Sequence, residues 1–149
     1  MREIKFRAWS PQSNKMIEVS ELFIHPNITS LRGRDNDGSS LYTYTATGNE
    51  GYDSFLMQYT GLKDKNGKEI FEGDIVKAGE ANMPIDKYPD YHQVCQVKFG
   101  EGEVNGSEWP VSVLGFYLEP HRFEVPNITE AKLEVIGNIY ENPTLLESN

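Results

Sequence analysis

Hydrophobic and polar positions alternate with period two at several points along the chain. In residues 3–9, EIKFRAW, Ile4, Phe6 and Ala8 fall on one side while Lys5, Arg7 and Trp9 fall on the other, which predicts a strand with one face turned inward. The run SPQSN then ends it. Met16, Ile17, Val19, Leu22 and Phe23 fit a second strand, but Met16, Val19 and Phe23 also fit a helical stripe, so residues 16–24 remain either strand or short helix. From His25 to Gly51 the chain turns polar, with RGRDNDGSS at 32–40 rich in turn formers and LYTYTAT at 41–47 favouring an extended strand. A hairpin or flap near the amino end is expected there. Phe55, Met57 and Tyr59 alternate again. HQVCQVKF at 92–99, WPVSVLGFYLE at 109–119 and KLEVIGNIYE at 132–141 are strand-like and separated by Gly, Asn or Pro. GEANMPIDKYPDY at 79–91 reads as an exposed excursion, and GEGEVNG at 100–106 as a β-turn region. Short strands at turn-marked intervals predict a mainly β fold with a closed or half-closed barrel.

The densest pattern is TGLKDKNGKEIFEGDIV, residues 60–76. Asn66-Gly67 between Leu62 and Ile70-Phe71 predicts a two-residue type I′ hairpin, with positive φ at both central positions. Gly73-Asp74 predicts a second reversal before Ile75 and Val76. The same stretch holds four carboxylates in eleven residues, so a cation loop must be tested. Counted from Asp64, the twelfth position of an EF-hand would be Ile75, and counted from Asp35 it would be Ala46. Neither supplies the closing Glu, and no metal site is expected in either loop.

Composition narrows the class. The chain has 149 residues, the size of one ordinary domain, and its 15 Phe plus Tyr with two Trp are enough large apolar groups for a packed core. No apolar run is long enough to span a bilayer and the charged amino terminus has no signal-peptide pattern, so the expectation is a cytoplasmic protein with no membrane contact. Net charge is −9 but uneven: residues 1–34 carry +3 and residues 35–149 carry −12. Most of the chain would therefore repel a phosphate backbone. Lys5, Arg7 and Trp9 form the one basic, aromatic stretch whose chemistry suits base stacking; the competing reading has Trp9 covering a barrel edge.

Candidate chemistry is sparse. Cys95 is the only cysteine, and strand periodicity turns it inward with Val97 and Phe99, which predicts an inert thiol. His25, His92 and His121 have no partner at metal-ligand spacing. An enzyme would need distant residues such as His92, His121 and Asp74 to converge. The sequons at Asn27, Asn105 and Asn127 have no role in a cytoplasmic protein.

KFRAWS near the start, QYTGLKDKNGKEIFEGDIV in the middle and LEVIGNIYENPTLL at the end together resemble the three blocks of the YopX family, proteins encoded by bacteriophages and prophages. The residues that carry the resemblance are Trp9, Gln58, Thr60, Gly61, Asp64, Asn66, Gly67, Glu72, Gly73, Asp74, Gly137, Asn138, Glu141, Asn142 and Pro143. The resemblance implies a small SH3-like barrel, or roll, with an added N-terminal strand and hairpin region and little helix. It implies no activity, and most of these residues are turn formers, caps or core aromatics. The expected organisation is a single domain, with strands and a polar loop over 1–51 and a barrel core over 52–149. The expected function is a noncatalytic accessory protein, without cofactor, that binds a host or phage protein through the loops at 25–51 and 79–91. The alternatives are nucleic-acid binding or DNA mimicry, and an uncharacterised enzyme. A barrel with open edges could also pair with copies of itself.

Overall fold

The structure is a computed structural model that describes residues 3–24, 28–46, 54–79, 92–104, 111–119, 123–124 and 133–147. It is mainly β, with antiparallel pairing throughout the described ladders. The chain forms two compact units, Met1–Tyr59 and Thr60–Asn149.

In the first unit, β1 (Phe6–Ser10), β2 (Lys15–Ile24), β3 (Ile28–Asp35), β4 (Ser40–Ala46) and the start of β5 (Phe55–Lys63) lie in the order β4-β3-β2-β1-β5. Of EIKFRAW only Phe6 onward is strand, with Ala8 fully buried against Ile17 and Leu31; Ile4, expected on the inward face, precedes the strand and is exposed, while Trp9, expected on the other side, is buried. Residues 16–24 resolve as strand. A bulge between Val19 and Glu21 inserts one extra residue, Ser20, so that Val19 and Leu22, three apart, both pack against the cluster of Ala8, Ile17 and Leu31, while Phe23 of the helical stripe is exposed. The hairpin expected near the amino end is present, and within the polar stretch residues 28–35 are strand instead of loop. β3 and β4 pair from Arg34↔Ser40 to Ile28↔Ala46, while residues 25–27 and 47–51 lie outside the described residues. Gly33 is required by close approach, because a Cβ there would stand 2.2 Å from the Glu18 carbonyl oxygen.

The second unit holds the end of β5, then β6 (Glu69–Phe71), β7 (Asp74–Gly79), β8 (His92–Val104), β9 (Val111–Glu119), β10 (Phe123–Glu124) and β11 (Leu133–Asn138), followed by a 3-10 helix at Pro143–Leu146. The end of β5 pairs with β6, and the other five strands form a sheet in the order β10-β9-β8-β7-β11. Its core is Ile70, Val76, Ala78, Cys95, Val97, Phe116, Leu118, Leu133 and Val135. Cys95 and Val97 turn inward as their periodicity requires; Phe99, next on that face, is 44% exposed and meets Phe116 edge to face. Residues 100–104, expected as turn, continue β8 opposite Gly115 to Val111. The excursion at 80–91 lies outside the described residues.

Among the described residues the strands do not close into a barrel: β10 and β11 stand at opposite ends of the five-stranded order. The outer side of β11 is instead occupied by a turn, because the Leu133 carbonyl accepts the Lys65 amide at 2.9 Å and the Val135 amide donates to the Asp64 carboxylate at 3.0 Å.

Candidate functional site

The stretch DKNGK forms a hairpin of a different kind from the one expected. Gly67 has φ +80°, while Asn66 is not in the left-handed region. The Gly67 amide donates to the Asp64 carbonyl at 2.9 Å and the Asp64 amide to the Lys68 carbonyl at 2.8 Å. This is a three-residue loop, a turn closed at its fourth residue by a glycine that forms a bulge, and only that glycine needs positive φ. Asp64 Oδ1 accepts the amides of Asn66 at 2.8 Å and Lys68 at 2.9 Å, which fixes the loop from inside.

Its remaining oxygen, Oδ2, takes the Val135 amide, so Asp64 ties the middle family block to the final one. The carboxylate is buried, with the residue 4% exposed. Burial pushes its pKa up, but the amides of Val135, Lys68 and Asn66 outweigh that, and the group is held below the usual carboxylate range.

DNDGS at 35–39 repeats this construction in the first unit. Asp35 Oδ1 accepts the Asp37 and Ser39 amides at 3.0 and 2.9 Å, and Gly38, with φ +80°, donates to the Asp35 carbonyl at 2.9 Å. Here Oδ2 takes an ammonium instead: Lys15 Nζ donates to Asp35 at 2.7 Å and to Asp37 at 2.5 Å. The bond to Lys15 is the main cause of a lowered Asp35 pKa, and the same bond leads the upward shift of Lys15. Both stretches tested as cation loops are therefore turns whose lead carboxylate is already occupied by protein donors. Sequence reasoning examined each run separately and missed the shared D-x-[DN]-G-x pattern, which was visible.

The other family-block residues of the second unit also build backbone. Thr60 Oγ1 donates to the Ile70 carbonyl at 2.8 Å, and Gly61 has φ +89°. Gly73, at φ +79°, donates to the Val97 carbonyl at 2.8 Å and accepts the Ile139 amide at 3.0 Å. Asp74, almost fully buried, accepts the Phe71 amide on Oδ2 at 2.8 Å, which closes the reversal after Glu72. Asn138 Oδ1 accepts the amides of Tyr140 and Glu141 at 3.0 and 2.9 Å, and its amide group donates to the Glu141 carboxylate. Asn142 bonds back to Asn138, and Pro143 opens the 3-10 helix. Gly137 has no room for a side chain, since a Cβ would lie 2.6 Å from Asn142 Oδ1. Tyr140 is raised by burial and by the charge of Glu72, which brings the ends of the two blocks into one electrostatic neighbourhood.

Trp9 and Gln58 belong to the first unit, Trp9 in β1 and Gln58 opposite Phe6. Trp9 is only 7% exposed, leaving no ring face on which a base could stack, and Arg7 donates to the Met57 sulfur. Several cations are engaged by acids: Arg32 with Glu21, Lys65 with Glu134 and Lys98 with Glu119. His92 opens β8 opposite Gly79, and Asp74 lies at the other end of β7, while His25 and His121 lie outside the described residues. Burial raises the Cys95 thiol to about 11. Among the described residues no group of three His, Cys, Asp or Glu is placed to hold a metal ion, and no helix is long and apolar enough to cross a membrane.

An antiparallel β chain whose signature residues hold turns and strand ends is thus the class defined by fold and site. The sequence profile of the YopX protein family matches residues 5–147, and the chain belongs to that family. A solved structure, protein EF1440 from Enterococcus faecalis, is similar: it is 28% identical, the match covers 98% of this chain and 99% of that one, and the TM-score is 0.54. A search of curated proteins found no match.

Proposed function

We propose that this protein is a noncatalytic binding module, an accessory protein of a phage or prophage that acts in the host cytoplasm by engaging a host or phage protein. The observation that supports this reading is the engagement of Asp64, Asp74 and Asn138 by backbone amides. A carboxylate whose oxygens already accept buried N–H groups is a poor general base and a poor metal ligand, because either role would leave those donors unsatisfied. The side chains shared with the family therefore serve the scaffold, and recognition falls to segments outside the blocks. Residues 79–91, EANMPIDKYPDY after Gly79, are such a segment, with two prolines and mixed charge.

The test compares two baits, the full chain and a variant with residues 80–91 replaced by a Gly/Ser linker of equal length. A host or phage protein retained by the first and lost by the second, then bound with defined stoichiometry when purified, is the expected result. Equal retention by both baits, or a purified candidate that gives no binding heat, would count against the reading.

A further inference from the structure

The fold protects its strand edges unevenly. In the second unit, β10 is two residues long and the outer side of β11 is taken by the Asp64 hairpin. β6 has three residues, one of them Glu69. These are ordinary ways of blunting an edge: shortness, charge, and cover. Among the described residues β4 has none of them. It is the terminal strand of its sheet, seven residues long, and pairs with β3 without irregularity from Ser40 to Ala46. Its sequence, SLYTYTA, holds no charge, no proline and no glycine.

We propose that the outer edge of β4 is a self-pairing surface, on which two copies of this chain join β4 to β4, antiparallel, about a two-fold axis through Thr43. The sequence favours a second copy over an unrelated strand. Tyr42-Thr43-Tyr44 reads the same in both directions, so an antiparallel copy centred on Thr43 puts Tyr42 opposite Tyr44, Leu41 opposite Thr45 and Ser40 opposite Ala46. Aromatic and threonine pairs are favourable across antiparallel strands, and no like charges meet. A two-fold axis requires this self-complementarity of an isologous contact. Charge distribution points the same way. Residues 1–59 carry six Lys/Arg against seven Asp/Glu, net −1, whereas residues 60–149 carry eight against sixteen, net −8. The first unit thus offers a contact of nearly balanced charge. This inference stands apart from the protein-partner reading and does not depend on it.

Light scattering coupled to size exclusion tests it on the full chain. The wild type should elute at twice the chain mass at high concentration. Thr43→Lys and Thr43→Glu, which set like charges face to face on the axis, should each give the single-chain mass, and mixing the two should restore the doubled mass. The mixture guards against misfolding, because only folded chains recover. Thr43→Cys adds a readout independent of charge: opposed positions of antiparallel strands lie within disulfide reach, so mild oxidation should link copy to copy. A wild type that stays monomeric, charged variants that remain dimeric, or a Thr43→Cys chain that fails to cross-link would each overturn the proposal.

Discussion

The Asp64 carboxylate accepts the Val135 amide at 3.0 Å across 71 positions of sequence, from inside a turn that it also closes with its other oxygen. One side chain thus holds both a local loop and a distant strand. Asp64→Ala would leave three amides without their acceptor and should cost about 3 kcal/mol, given roughly 1–3 kcal/mol for each buried unsatisfied group and partial relaxation. Urea unfolding of the two proteins measures it; a loss below about 1 kcal/mol would contradict the assigned role.

Acid should reveal the same residue. Its pKa is lowered in the fold, so the stability it contributes is complete above the unfolded value of about 4 and declines as pH falls through the lower folded value. In Asp64→Asn the titrating group is absent and an amide group competes for the Val135 donor. The wild-type advantage over Asp64→Asn should therefore be full at neutral pH and shrink below about pH 4, read as converging urea midpoints. An advantage that widens in acid would refute the sign.

Gly137 gives a steric prediction. Gly137→Ala brings a Cβ to 2.6 Å from Asn142 Oδ1 and 2.9 Å from Leu145 Cδ1, and overpacking of that kind costs about 2 kcal/mol. Asn142→Ala removes the nearest obstacle. The double variant should lose less than the sum of the singles, and strict additivity would show that the two positions do not collide.

The glycines at the two hairpin corners should behave alike. A Cβ at Gly38 or Gly67 meets nothing within 4 Å, so any penalty comes from φ +80° alone. Alanine at either position should cost about 1 kcal/mol, and asparagine less, since it tolerates the left-handed region. Thermal unfolding of the four single variants compares them directly.

Cys95 is fully buried, and burial raises its thiol to about 11. It should be silent to a thiol reagent in the native protein at mildly alkaline pH and react at once in urea. Rapid native labelling would place the thiol at the surface.

Strand positions were legible where period two ran: FRAW at 6–9, HQVCQVKF and LEVIGN lie in strands, whereas Glu3, Ile4 and Lys5, read as part of the first strand, precede it. Residues 16–24 were ambiguous because Met16, Val19 and Phe23 fit a helical spacing and the bulge at Ser20 breaks the period two that would have marked a strand. The stretch around Arg32 looked like loop because its small and charged residues dominate, yet Leu31 anchors it to the core and Gly33 lets it lie close against β2. At the site, a turn at Asn66-Gly67 followed from local chemistry. The long-range role of Asp64 did not, because a bond from Asp64 to Val135 leaves no trace in either segment read alone. The barrel was expected for a related reason: nothing in LEVIGN announces that a turn, not a strand, would line its outer side.

The wide reach of that clasp bears on how the protein is made. β1 to β4 and the paired part of β5 lie within the first 59 residues, so the first unit can assemble while the rest is still on the ribosome. The second unit has to wait, because β7 gains its β11 neighbour and the Asp64 hairpin its anchor only when residues 133–138 emerge. Until then the nascent chain carries a first unit with its strands in hand and a second whose outermost strand has not been synthesised.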